Sequence, residues 1–187
     1  MQVSSAKCRF LVTTCVNTLD AFADASGRFL AWCIPLMMLI TAIVVVLRYG
    51  FDLGSIALQE SVTYLHASVF LLGMAYTLKH NEHVRVDIFY QHFSQQQRAW
   101  IDATGTLVLL LPLCALIFFL SFPFAARSWA IGEISSEPGG IPAIFLLKSL
   151  LPVSAALLAL QAISETLRQA LTLTLPSDSS LSGKSSH

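Results

Sequence analysis

Four apolar stretches, each long enough to cross a bilayer as a helix, dominate this chain and leave few folds open to it. Crossing the hydrocarbon takes about 20 residues in a helix. The stretches run from Phe29 to Leu47, from Ile56 to Leu78, from Ile101 to Ala126 and from Ala143 to Leu167. Each is closed by basic residues: Arg48, Lys79-His80, Arg127 and Arg168. Only 12% of the residues are charged, about half of what a soluble domain carries. Inside lipid, backbone polar groups must be satisfied by the chain itself, and helices of this length do so residue by residue. The expected fold is an all-α integral membrane protein of four transmembrane helices, with short amphipathic helices at the interface.

The flanks divide the chain into residues 1–28, a transmembrane domain over 29–168, and a tail over 169–187. Lys7 and Arg9 precede a short apolar run, and Ala21-Phe22-Ala23 imitates a signal-cleavage site. Thr13, Thr14, Asn17 and Asp20 interrupt that run, which argues against a cleaved signal. An amphipathic helix is expected there, with Leu11, Cys15, Leu19 and Phe22 on one stripe. The serine-rich tail after Leu175-Pro176 has too few apolar residues to order itself. With the N-terminus inside, eight basic residues (Lys7, Arg9, Arg28, Lys79, Arg85, Arg98, Arg168, Lys184) face three (Arg48, Arg127, Lys148). That bias expects both termini in the cytoplasm.

Several function classes drop out. Net charge is zero, so no basic footprint suits nucleic acid. Cys8, Cys15, Cys33 and Cys114 are widely spaced and read as neither disulfide-bonded nor metal-binding. There is no Gly-Lys-Ser/Thr phosphate loop, no His-Glu-x-x-His and no Gly-x-Ser-x-Gly.

An ionisable residue within a span is a functional hypothesis by default, and Glu60 and His66 in the second stretch are the two singled out. On a helix Glu60 shares a face with Thr63, Tyr64, Ala67, Leu71, Met74 and Leu78, while Val62, Leu65, Val69 and Leu72 suit lipid. Glu60 is therefore expected to meet a protein neighbour, either as an ion ligand or as a packing contact. His66 raises a haem- or quinone-linked anchor as the competing reading. The other histidines, His80, His83, His92 and His187, lie outside the spans, so the second axial ligand is missing. A hydrogen-bonded bundle histidine is the plainer expectation. Pro35, Pro112 and Pro152 lie within spans, where a neighbouring group must satisfy the carbonyls they free. The chain shows neither internal repeats nor the several polar groups of a self-sufficient transporter.

Two connectors carry most of the remaining polar residues. After Lys79, polar His83, Arg85 and Asp87 alternate with Val84, Val86 and Ile88, and a short surface helix can follow. Ser94-Gln95-Gln96-Gln97 is a capping-box pattern that starts the third helix at Ser94. Between the last two spans, Pro138-Gly139 suits a type II turn, and Pro142 is placed to open the fourth helix.

The strip from Glu60 to Lys79, followed by Glu82-His-Val-Arg-Val-Asp-Ile-Phe-Tyr90, resembles the small membrane subunit (DctQ type) of tripartite ATP-independent periplasmic (TRAP) transporters. Glu137-Pro-Gly-Gly-Ile-Pro142, with Lys148 and a following Leu-Leu-Pro, is similar to a common form of that subunit, and the likeness covers Phe29 to Arg168. The resemblance implies a non-catalytic subunit of the bacterial inner membrane. Its partners would be a large permease subunit, a periplasmic substrate-binding protein and the lipid bilayer. The complex would import an organic acid with sodium, the sodium held on the large subunit and no cofactor on this chain. Glu60, Tyr64, His83, Arg85 and Asp87 would meet the large subunit, and Glu133, Glu137, Gly139 and Gly140 would dock the binding protein. His66 matches no family position.

Overall fold

The computed structural model describes residues 2–80 and 93–174, and among these it is built of helices with no strand. Helix α1 spans Gln2–Gly50 and α2 spans Ile56–Lys79. Helix α3, Gln95–Gly105, runs through a widened π turn, Thr106–Leu110, into α4, Leu111–Ile131. Helix α5 spans Ile144–Thr174. Four segments are long and apolar enough to cross a membrane: Val16–Gly50, Ile56–Lys79, Trp100–Ile131 and Ile144–Arg168. They fall on the four stretches read from the sequence, with the first starting earlier and the third running on to Ile131.

Local chemistry explains most boundaries. Ser94 accepts the Gln97 N–H at 3.3 Å, and Gln97 Oε1 accepts the Ser94 N–H at 2.9 Å, completing the expected capping box. The π turn precedes Pro112, which has no N–H and whose ring crowds the carbonyl four residues back. There the Leu111 N–H reaches Thr106 O instead, five residues away, so the wider turn absorbs the mismatch. Pro123, a further in-helix proline, was not singled out in the sequence. The type II turn forms as expected: the Gly140 N–H donates to Glu137 O at 3.0 Å, and Gly139 has φ +78°. Pro142 does not open α5. A tight turn, with the Ala143 N–H on Ile141 O at 2.8 Å, comes first.

A separate amphipathic helix at the N-terminus is not what forms, because α1 is continuous through residue 28. No proline interrupts it before Pro35. Of the expected apolar stripe, Leu19 is half-buried and Phe22 exposed, the side chains of Leu11 and Cys15 lie outside the described ones, and Val16, Ala23, Leu30 and Cys33 are buried. The surface helix expected after Asp87 lies outside the described residues.

Helix α5 is the hub. It packs on α1, α2 and the α3–α4 rod, while α1 and α2 pack on each other. Its buried face is made of small or polar residues, Ser154, Ala155, Gln161, Ala162 and Ser164, joined by Leu158. Across from it α4 buries Cys114, Ser121, Ala125 and Ser128. Small residues let helix backbones approach closely, which drives association where lipid removes the hydrophobic contrast. Large apolar side chains point outward instead, Phe119 and Leu120 among them. Hydrocarbon is the natural solvent for such a surface.

Candidate functional site

The polar residues gather at the two ends of the helix row. One end, here the connector end, holds the stretch of α1 around Asp20 and Asp24, the end of α2 and the stretch of α5 around Arg168. The other, the loop end, holds residues 51–55 and the α4–α5 loop over 132–143.

At the connector end, Asp20 and Asp24 stand one turn apart on α1. The Asp20 carboxylate accepts from Arg168 of α5 and from Gln161 Nε2 at 3.0 Å, and Arg168 also pairs with Glu165 at 3.2 Å. Lys79, at the last turn of α2, donates to Asp20 O at 2.9 Å and pairs with Asp24 at 2.5 Å. His80 Nε2 lies 3.1 Å from the other Asp24 oxygen, and the Tyr76 ring lies 4.4 Å from the His80 ring. Tyr76 packs so tightly on Gly27 that a Cβ there would overlap its ring. Three helices are thus tied by one continuous set of charges, and Gln161 and Glu165 within it are buried.

At the loop end, Glu60 reaches from the first turn and a half of α2 into the α4–α5 loop. Its Oε1 accepts from the Ser135 hydroxyl, and its Oε2 accepts the Ile141 N–H at 2.6 Å. A Cβ at Gly140 would fall 2.7 Å from Glu60 Oε1, so only glycine lets the loop close over the carboxylate. Glu133 pairs with Lys148 of α5 at 2.5 Å, and Lys148 Nζ sits 4.2 Å above the Phe124 ring. The Lys148 bond holds the Glu133 carboxyl below the usual carboxylate range. Trp129 Nε1 donates to Ser149 Oγ at 2.7 Å, and its ring packs on Phe145 at 4.5 Å. The loop is therefore held to both α2 and α5.

These positions revise several expectations. Glu60 faces a protein neighbour as expected, but the neighbour is this chain's own loop, and both its oxygens are used there. Tyr64, one turn on, has a buried hydroxyl with no partner among the described residues. Glu133 is likewise engaged internally, whereas Glu137 and Gly139 are exposed at the tip of the turn and Gly140 lies half-buried beneath it. His83, Arg85 and Asp87 lie outside the described residues. His66 is exposed on this chain, with no hydrogen-bond partner among the described residues, so no helix of its own bundle supplies the bond expected for it. The face of α2 expected to meet lipid, Val62, Leu65, Val69 and Leu72, is half-buried, because α1 and α5 both pack on α2. The exposed stripe carries Gln59, Thr63, His66 and Phe70.

The connector-end network is the main feature the sequence reading missed. Lys148 and Glu165 lie inside the fourth apolar stretch, yet only Glu60 and His66 were singled out as ionisable. The signal was present: Asp20 and Asp24 recur at i, i+4, and Gln161, Glu165 and Arg168 at i, i+4, i+7, each on one helix face.

Fold and site together define a multi-pass helical membrane protein in which charged side chains among the described residues join its own helices and loop. A family model described as "Tripartite ATP-independent periplasmic transporters, DctQ component" matches residues 37–172, and the chain belongs to that family. No curated protein and no solved structure matches it.

Proposed function

We propose that this chain is the non-catalytic small subunit of a TRAP-type secondary transporter, bracing the large permease subunit in the bacterial inner membrane. The complex imports an organic acid with sodium, delivered by a periplasmic binding protein. Sodium and substrate are handled by the large subunit. The observation that carries this reading, beside family membership, is where the charges go. Asp20, Asp24, Lys79, Glu165 and Arg168 are consumed in tying α1, α2 and α5, and Glu60, Glu133 and Lys148 in holding the loop. A group that must bind and release a solute needs to exchange partners, whereas a brace needs its partners fixed.

In this reading the connector end faces the cytoplasm and the loop end the periplasm, in line with the basic-residue bias. The fixed loop then presents Glu137 and Gly139 toward the binding protein. Membership in a transporter family also favours this reading over the haem- or quinone-linked anchor of a respiratory enzyme. The test is uptake in cells that keep the large subunit and the binding protein but lack this chain. Transport is expected to be lost, and full uptake without the chain would refute the bracing role.

A further inference from the structure

The two exposed faces of the helix row differ in chemistry. On α4 the outward residues Leu116, Phe119 and Leu120 are wholly apolar, which suits acyl chains. On α2 the outward stripe carries Gln59, Thr63 and His66, with no hydrogen-bond partner for their side chains among the described residues. His66 lies near the middle of the 24-residue α2, a helix long and apolar enough to cross the bilayer, which sets it at mid-hydrocarbon depth in a spanning helix. An acyl chain offers an imidazole or hydroxyl no partner, and leaving a polar group unpaired in hydrocarbon is unfavourable. Lipid alone is a poor occupant of this face.

The stripe also forms one wall of a groove. Beyond Pro35, α1 loses much of its cover, with Met38 and Val46 more than half exposed. Met38, Thr41 and Val45 of α1 and Thr63 and His66 of α2 line a channel of about 790 Å³. Thr41 donates within its own helix, to Met37 O at 2.8 Å, so the unanswered polar groups are on α2. The Asp24–Lys79 pair ties the same two helices together at the connector end, and α1 and α2 pack on each other.

We propose that this groove seats a transmembrane helix of the large permease subunit, one that presents a hydrogen-bonding side chain to His66 and Thr63 at mid-membrane depth. The proposal rests on the transporter-subunit reading, which supplies a second membrane chain, and adds which face of this chain meets it. The α4 face is left to lipid.

The test uses the full chain co-expressed with the large subunit in membranes. A photo-crosslinking amino acid replaces Thr63 in one sample and Phe119 in another. Position 63 is expected to crosslink to the large subunit at least about tenfold more than position 119. In a parallel pull-down, His66→Leu is expected to lower recovery of the large subunit about three- to tenfold, the range of an interhelical hydrogen bond in lipid. His66→Gln, which keeps a donor and an acceptor, should restore most of it. Three crosslinking results overturn the proposal while leaving the subunit reading intact: adducts only with lipid at position 63, a band joining two copies of this chain, or dominant crosslinking from position 119. Failure of the unsubstituted chain to recover the large subunit would overturn both.

Discussion

Replacing Glu60 by glutamine tests the loop clamp at its centre. The carboxylate accepts two hydrogen bonds at once, from the Ser135 hydroxyl and from the Ile141 N–H. Glutamine keeps the shape but removes the charge: its carbonyl oxygen accepts the Ile141 N–H, and its NH2 donates to the Ser135 oxygen, which accepts as readily as it donates. A hydrogen bond to a charged group contributes about 1.5–3 kcal/mol. With both bonds reduced to neutral ones of about 0.5–1.5 kcal/mol each, the clamp weakens by about 2 kcal/mol and the open population of the loop rises roughly ten- to a hundredfold, since 1.4 kcal/mol is about a factor of ten. Amide hydrogen exchange in the purified complex reads this directly. The Ile141 amide should lose protection by that factor in Glu60→Gln. The Gly140 amide, bonded within the turn to Glu137 O, and the α4 backbone before Gly132 should change far less. Equal Ile141 protection in both proteins would show that the carboxylate does not hold the loop.

Three further outcomes follow from the same contacts. A double-mutant cycle of Asp20→Asn and Arg168→Gln should give a coupling of about 0.5–3 kcal/mol in the thermal stability of the complex; additive effects would mean the pair does not join α1 to α5. Gly27→Val should drive α1 from α2 through the Tyr76 ring and lower the melting temperature, whereas Gly27→Val with Tyr76→Ala should recover part of the loss; no recovery would place the damage elsewhere. Because Lys148 lowers the folded-state pKa of Glu133, their link contributes at neutral pH and fades as pH falls through the acid range below about 4. Lys148→Met should therefore flatten the stability-versus-pH curve there, and an unchanged acid limb would contradict the link.

How much of this was legible in the sequence depends on whether a feature is local. Span positions, the Ser94 capping box and the Pro138-Gly139 turn need only neighbouring residues, and all were readable. The covered face of α2 was not, because it depends on where α1 and α5 pack. A helical wheel sees Val62 and Leu65 as lipid-facing, but a hub helix reverses that. The role of Glu60 was half legible: its need for a partner follows from its position in a span, whereas Ser135 and the Ile141 N–H are about 80 residues away along the chain. The Asp20–Arg168 tie joins residues 148 apart, and no short window contains both. Asp20 looked like a mere interruption of an apolar run.

The π turn ahead of Pro112 has a consequence for how the third membrane crossing is phased. A π turn closes over one more residue than an α turn, so it absorbs an extra residue that a regular helix would pass upstream as a rotation of about 100°. Deleting a single residue between 106 and 110 would regularise the helix with the segment from Ser94 to Gly105 still aimed as before, whereas making the turn α-helical with every residue kept would swing that segment by about 100°. The bulge thus keeps the start of this rod aimed as it is, and a full-length version forced into regular α turns would present a different side of α3 to α5.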